Sequence, residues 1–130
     1  MAKEKQIKDI KERVKSFEDA LAVTGRPALP DVSNVPADLK ECFEERYRSI
    51  VVVEALNEGW SPDWTDHNQQ KWFPWFHHPV SSSGFVFLGA SYYFSLAAAG
   101  YGSRLCFKDS EMARYFGEQF IDICNKILLK

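Results

Sequence analysis

The sequence predicts an α+β domain: about three helices packed on a small antiparallel β-sheet, with a long aromatic-rich loop. Three observations predict it. Apolar residues recur at spacings of three and four over residues 3–24, 37–58 and 109–129, which is the period of one helix face. Residues 84–107 are rich in aromatic residues and are punctuated by glycine, a strand-and-turn composition. Between these lies WSPDWTDHNQQKWFPWFHHPVSSS (60–83), which holds all four tryptophans, three prolines and all three histidines. A chain of 130 residues is the prior for one domain. At that size about 65–70% of the unfolded surface can be buried without metals or crosslinks. Its 19 aromatics exclude an intrinsically disordered chain.

Over 3–24, Ile7, Ile10, Val14, Phe17 and Leu21 form one apolar stripe, with Gly25 as C-terminal cap and Pro27 forbidding continuation. Two readings stay open here. The charged half, 1–15, either projects from the domain or docks on it, and Ser16 is also placed to cap a separate short helix. Residues 25–36 (GRPALPDVSNVP) read as an extended connector within the single domain 1–130. The second helix, 37–58, takes Pro36 in its first turn and Asn34 or Ser33 as cap. Its expected buried face is Leu39, Phe43, Tyr47, Ile50, Val51 and Leu56. Ile50–Val53 has strand-like β-branching, but the flanking helix formers decide for helix, and Gly59 ends it. Pro74 restricts any strand at 71–76 to an edge or bulge. The expected hairpin pairs an arm over 84–94 with a second arm at 104–107, turning near Gly100 and Gly102. The last helix, 109–129, is capped by Asp109 or Ser110 and buries Ala113, Phe116, Phe120, Ile123, Cys124 and Ile127.

Charge is unevenly placed. Residues 1–26 and 71–130 each carry +2, and 27–70 carries −6. With a pI near 5.9, sequence-independent nucleic-acid binding is not the expected task. No apolar run approaches the ~18 residues of a membrane helix, and no signal peptide is expected at Met1. Three scattered cysteines, Cys42, Cys106 and Cys124, read as reduced thiols of a cytoplasmic protein.

The candidate chemistries are mostly weak. His77 and His78 are adjacent, with His67, Asp63 and Asp66 nearby. Zinc ligands are normally spaced so that two converge on one ion, so no metal is expected. Ser81–Ser83 lack a nucleophile-elbow pattern. Glu54 with Glu58, and Asp63 with Asp66, are carboxylate pairs. Asp63 and Asp66 are expected to cap turns rather than act as acid and base. Gly100-Tyr-Gly102-Ser-Arg104 is either an anion cradle or a turn. The aromatic cluster is the most informative feature. Trp60, Trp64, Trp72, Trp75 and Tyr92 either form a stacking platform or lid the core. Arg104, Lys108 and Lys71 supply charge beside them. Stacking contributes about 1–3 kcal/mol per base, enough for micromolar nucleotide binding from two rings and one arginine.

The segments ALNEGWSPDW (55–64), KWFPWF (71–76) and GSRLCFKDSEMARYFGEQF (102–120) together resemble a family of small uncharacterised proteins encoded by phages and prophages of gut Bacteroidota. The resemblance spans roughly 15–128. It implies a mobile-element protein in a bacterial cytoplasm and assigns no catalytic residue. The expectation is a non-enzymatic, homo-oligomeric binding protein without a cofactor. It would sequester a nucleotide-like molecule to counter host defence through Trp60, Trp64, Trp72, Trp75, Tyr92, Arg104 and Lys108. The alternative is a virion structural or assembly component, or a module docking on a host protein.

Overall fold

The computed structural model describes residues 9–98 and 102–129. Five α-helices and a two-stranded antiparallel sheet make up the described chain: α1 (Ile10–Arg13), α2 (Phe17–Thr24), α3 (Lys40–Asn57), β1 (Lys71–His77), β2 (Val86–Tyr93), α4 (Ser110–Gln119) and α5 (Ile121–Leu129). The fold class is α+β as expected. The helices are more numerous because two of the three predicted ones are broken.

The first break lies at Val14–Ser16. Ser16 Oγ accepts from the Asp19 amide at 3.1 Å and starts α2, while Gly25 (φ 74°) closes it. Carbonyl groups freed at the break are taken by α4. Tyr115 Oη lies 2.9 Å from the Lys11 and Val14 carbonyl oxygens, and Gln119 Nε2 donates to that of Lys15 at 3.0 Å. Ile10 and Val14 are buried, so the described part of the N-terminal segment docks on the domain and does not project. Ile7 and the rest of 1–8 lie outside the described residues. The second break is at Phe120, whose φ of −111° and ψ of 33° leave the helical region between α4 and α5. Asp109 caps α4 by accepting from the Met112 amide at 2.9 Å.

Ahead of α3, residues Ala37–Leu39 form a single 3₁₀ turn and no side chain caps the helix, so the expected Asn34 or Ser33 cap is absent. The α3 core face also differs from expectation. Val51, Val52, Val53, Ala55 and Leu56 are buried with Glu45, Ser49 and Asn57, whereas Leu39 and Phe43 are exposed. Packing of α2 and α5 against α3 selects the face, and it admits polar groups whose bonds are made locally. Ser49 Oγ donates to the Arg46 carbonyl at 2.7 Å, and Glu45 is paired with Arg48. Helix α3 ends at Asn57, with Glu58 (φ 51°) and Gly59 (φ 88°) both left-handed.

Strand pairing overturns the expected hairpin. β2 pairs with β1, from Lys71↔Tyr93 to His77↔Val86, with one register shift between Trp75 and Phe76. The segment expected as the second arm lies on the opposite side of β1. There Phe107 exchanges both backbone hydrogen bonds with Trp72, at 3.0 and 2.9 Å. Pro74 is tolerated for a geometric reason. Its nitrogen points to the same edge as that of Trp72, away from β2, so no β1–β2 bond is lost. One sheet face (Trp72, Pro74, Phe76, Ala90, Phe87) packs on α4. It does so closely at Gly117, where an added Cβ would collide with the Phe87 ring.

A single amide ties these layers together. Asn57, buried at the end of α3, donates through Nδ2 to the Cys106 carbonyl (2.9 Å) and accepts at Oδ1 from the Lys108 amide (3.2 Å). Between those two anchors Phe107 is fully buried against Phe116, with ring centroids 5.3 Å apart. Asn57→Ala strands both backbone groups and is expected to cost about 2–4 kcal/mol, read by urea denaturation. Asn57→Asp keeps the acceptor but sets an oxygen against the Cys106 carbonyl, and recovers only part of the loss.

Candidate functional site

The five aromatic residues singled out in the sequence do not share one surface. Alternation along β1 sends Trp72 and Trp75 to opposite faces of the sheet. Trp72 meets Tyr92 in a tilted ring contact, with centroids 4.7 Å apart and planes inclined by 48°, and packs against the core. Trp75 donates its indole N–H to Ser91 Oγ and is partly exposed on the other face. There a shallow apolar cavity of about 340 Å³ is lined by Phe73, Trp75, Tyr93, Leu96, Ala97 and Ala98.

Trp64 is a lid. Its Nε1 donates to Ser103 Oγ (2.8 Å) and its carbonyl accepts from Ser95 Oγ (3.0 Å), which pins the 60–70 loop across the sheet. Beneath it Lys71 is fully buried. The Lys71 ammonium lies 5.2 Å from the Trp64 ring centroid and donates to the Asp66 carbonyl at 3.0 Å. The aliphatic stem fills the space under the loop while the charge is met by a carbonyl and a π-face. Lys71 is therefore shut off from any ligand at the surface. Lys108, another expected site cation, pairs with Glu58 Oε1 at 3.0 Å.

Two of the expected residues do meet. A cavity of about 420 Å³ opens at the C-terminal end of α3, where Glu54 and Asn57 from the helix, Trp60–Pro62 after it, and Ser103–Arg104 surround it. Volumes of this order hold small molecules. Trp60 and Arg104 contribute an indole and an exposed guanidinium, and among the described residues neither Trp60 Nε1 nor the guanidinium is hydrogen-bonded within the protein. Glu54 is oriented by Arg26 Nε, 2.9 Å from its Oε1. Sequence reasoning had weighed Glu54 only as half of a carboxylate pair. Its role in the cavity depends on chain turns after α3 that carry no local signature. The glycine-flanked turn before Arg104 falls partly outside the described residues.

The other candidates have local partners. Asp63 Oδ1 accepts from the Thr65 amide (3.0 Å) and hydroxyl (2.6 Å), and Asp66 Oδ1 from the Asn68 amide (2.9 Å), so both close turns as expected. The Thr65 bonds hold the Asp63 carboxyl below its usual range. That is the wrong direction for a general acid at neutral pH. Ser82 Oγ is engaged with the Gly84 backbone. His78 packs edge-on to Phe85 at 5.1 Å. Among the described residues no three His, Cys, Asp or Glu side chains converge as a metal site. No described helix is long and apolar enough to cross a membrane. No protein-family model matches the chain, and no curated protein or solved structure is found to be similar to it.

Burial pushes the thiol of Cys106 up to about 11, against an opposing pull from Lys71, and that of Cys124 up to about 12. Cys42 is only partly buried. Ellman's reagent at pH 8 is therefore expected to titrate one thiol in the native protein and three in denaturant. Unfolded thiols ionise near ~8.5. The stabilisation from keeping the two buried thiols neutral is thus complete below that pH and is lost as pH rises through the folded values. A denaturation midpoint that stays flat from pH 8 to 10.5 would contradict this.

Proposed function

We propose that this chain is a non-enzymatic binding protein encoded by a phage or prophage, which sequesters a nucleotide-like small molecule in the host cytoplasm and so blunts a host defence signal. The observation that carries the reading is the cavity at the end of α3. It brings together an indole donor and a guanidinium that have no hydrogen-bond partner among the described residues, and an oriented carboxylate. These three groups ask for one kind of ligand: a flat ring to stack on Trp60, an anionic group for Arg104, and N–H donors for Glu54. The helix C-terminus and Glu54 both disfavour negative charge on their side. The ligand's anionic end therefore lies toward Arg104 and its donor-bearing edge toward α3. The site is thus narrower than the sequence expectation. Trp60 and Arg104 remain in it, and Trp64, Trp72, Trp75, Tyr92 and Lys108 serve packing, lid and pairing roles.

Native mass spectrometry of protein purified from its host cytoplasm tests the reading directly. A homo-oligomer carrying a stoichiometric small-molecule mass is the expected species. In calorimetry against a nucleotide panel, Trp60→Leu is expected to weaken binding by the ~1–3 kcal/mol of one stacked base. Arg104→Ala weakens it further, with the melting temperature unchanged in both variants. No adduct and no binding at millimolar nucleotide overturns the proposal.

One observation favours a second reading, a virion component or a module that docks on a host protein. Val86, Leu88, Tyr93, Phe94 and Leu96 expose apolar side chains in and after β2, as contact surfaces do. Co-sedimentation of the chain with purified particles decides for it.

A further inference from the structure

We propose that the free edge of β2 pairs antiparallel with β2 of a second copy, joining two two-stranded sheets into one of four strands. The proposal gives the expected homo-oligomer a surface and a register, and it does not depend on the ligand cavity.

Hydrogen-bond direction comes first. Trp72 spends its backbone groups on Phe107, so Trp72↔Tyr92 is a non-hydrogen-bonded pair and Lys71↔Tyr93, Phe73↔Ser91 and Trp75↔Gly89 carry the β1–β2 bonds. The N–H and C=O groups of Ala90 and Tyr92 therefore point outward, and no described backbone segment meets them. A row of such groups is a template for another strand.

The edge also lacks the usual protection. Natural edge strands are blunted by charge, proline or bulges. Here the register shift near Leu88 is the one such device, and the thirty-two residues from Trp72 to Ser103 contain no Asp, Glu, Lys or Arg. Elsewhere the chain is densely charged, so the uncharged stretch coincides with the edge.

The pattern of exposed side chains selects a second copy as the occupant. Val86 and Leu88 before Ser91, and Phe94 and Leu96 after it, are exposed apolar residues at matching separations from it, and the exposed Tyr92 mirrors the half-buried Ala90. A two-fold axis through Ser91 sets Ala90 opposite the partner's Tyr92, an arrangement that forms four inter-chain backbone hydrogen bonds. Carried one residue past the end of β2 at Tyr93, the same axis brings Leu88, the residue skipped at the register shift, across from the partner's Phe94. An isologous interface requires this self-complementarity, and with no charge on the edge the two copies meet without repulsion.

Sedimentation of the full chain between 1 and 100 µM is expected to show a reversible dimer. Leu88→Glu alone and Phe94→Lys alone each weaken it at least about tenfold, as a charge facing an apolar partner must. The two together restore it. Within one chain these positions are separated along the strand, but across the axis each introduced carboxylate faces the partner's introduced ammonium. Hydrogen exchange on the unaltered protein gives an independent readout, with protection of the Ala90 and Tyr92 amides rising with protein concentration. A monomer at 100 µM overturns the proposal. So does a dimer indifferent to the single changes, failure of the double change to restore it, or exchange independent of concentration. Nucleotide binding is measured on the same samples, so a monomer that still binds ligand sinks the dimer alone.

Discussion

The carboxamide of Asn57 holds the structure to one arrangement. Its two hydrogen bonds fix the backbone on either side of Phe107, and Phe107 in turn is bonded to Trp72 of β1. Helix, loop and strand are thereby locked at one place, with a fully buried aromatic ring at the junction. An amide suits the task because it offers a donor and an acceptor in one plane, which matches the carbonyl and N–H of an extended backbone. Asn125 repeats the device on the other side of the molecule, where its Oδ1 accepts from the Phe85 amide at 2.6 Å and its Nδ2 donates to the Phe85 carbonyl at 3.0 Å. Each asparagine stands in for a missing strand neighbour of an extended segment that flanks the sheet.

The tryptophan-rich loop serves two ends. Its Trp64 closes over Lys71 and completes the sheet's second layer, a packing role. Its first residue, Trp60, leaves the lid and lines the cavity with Arg104. The two roles are coupled through Ser103, which accepts from the Trp64 indole and also borders the cavity. The Trp64 indole therefore helps to place the residue next to Arg104. The proposed ligand would find a largely preformed wall rather than pay to order a loop.

What was legible in the sequence was local. Ser16, Gly25 and Asp109 act as caps, and Asp63 and Asp66 close turns, because each of those bonds spans only two to four residues. The apolar periods placed α2, α3 and the α4–α5 region. Leu39 and Phe43 were misassigned to the core because periodicity gives the existence of a face but not which neighbours cover it. Glu45 and Ser49 took the inward positions once their polar atoms were met within the helix.

The sequence by itself determined the α+β class, the regions that hold the helices, the caps at Ser16, Gly25 and Asp109, and the concentration of aromatics between α3 and α4. Only the tertiary structure decided that β2 pairs with β1 rather than with 104–107, that the helices break at Val14–Ser16 and Phe120, and that four tryptophans go to separate places. The reason is the range of the interactions. Caps and periods are written in contacts a few residues apart. The strand partner and the N-terminal break are set by Phe107, Asn57, Tyr115 and Gln119, which act across 35 to 104 positions of chain and leave no mark in any short window.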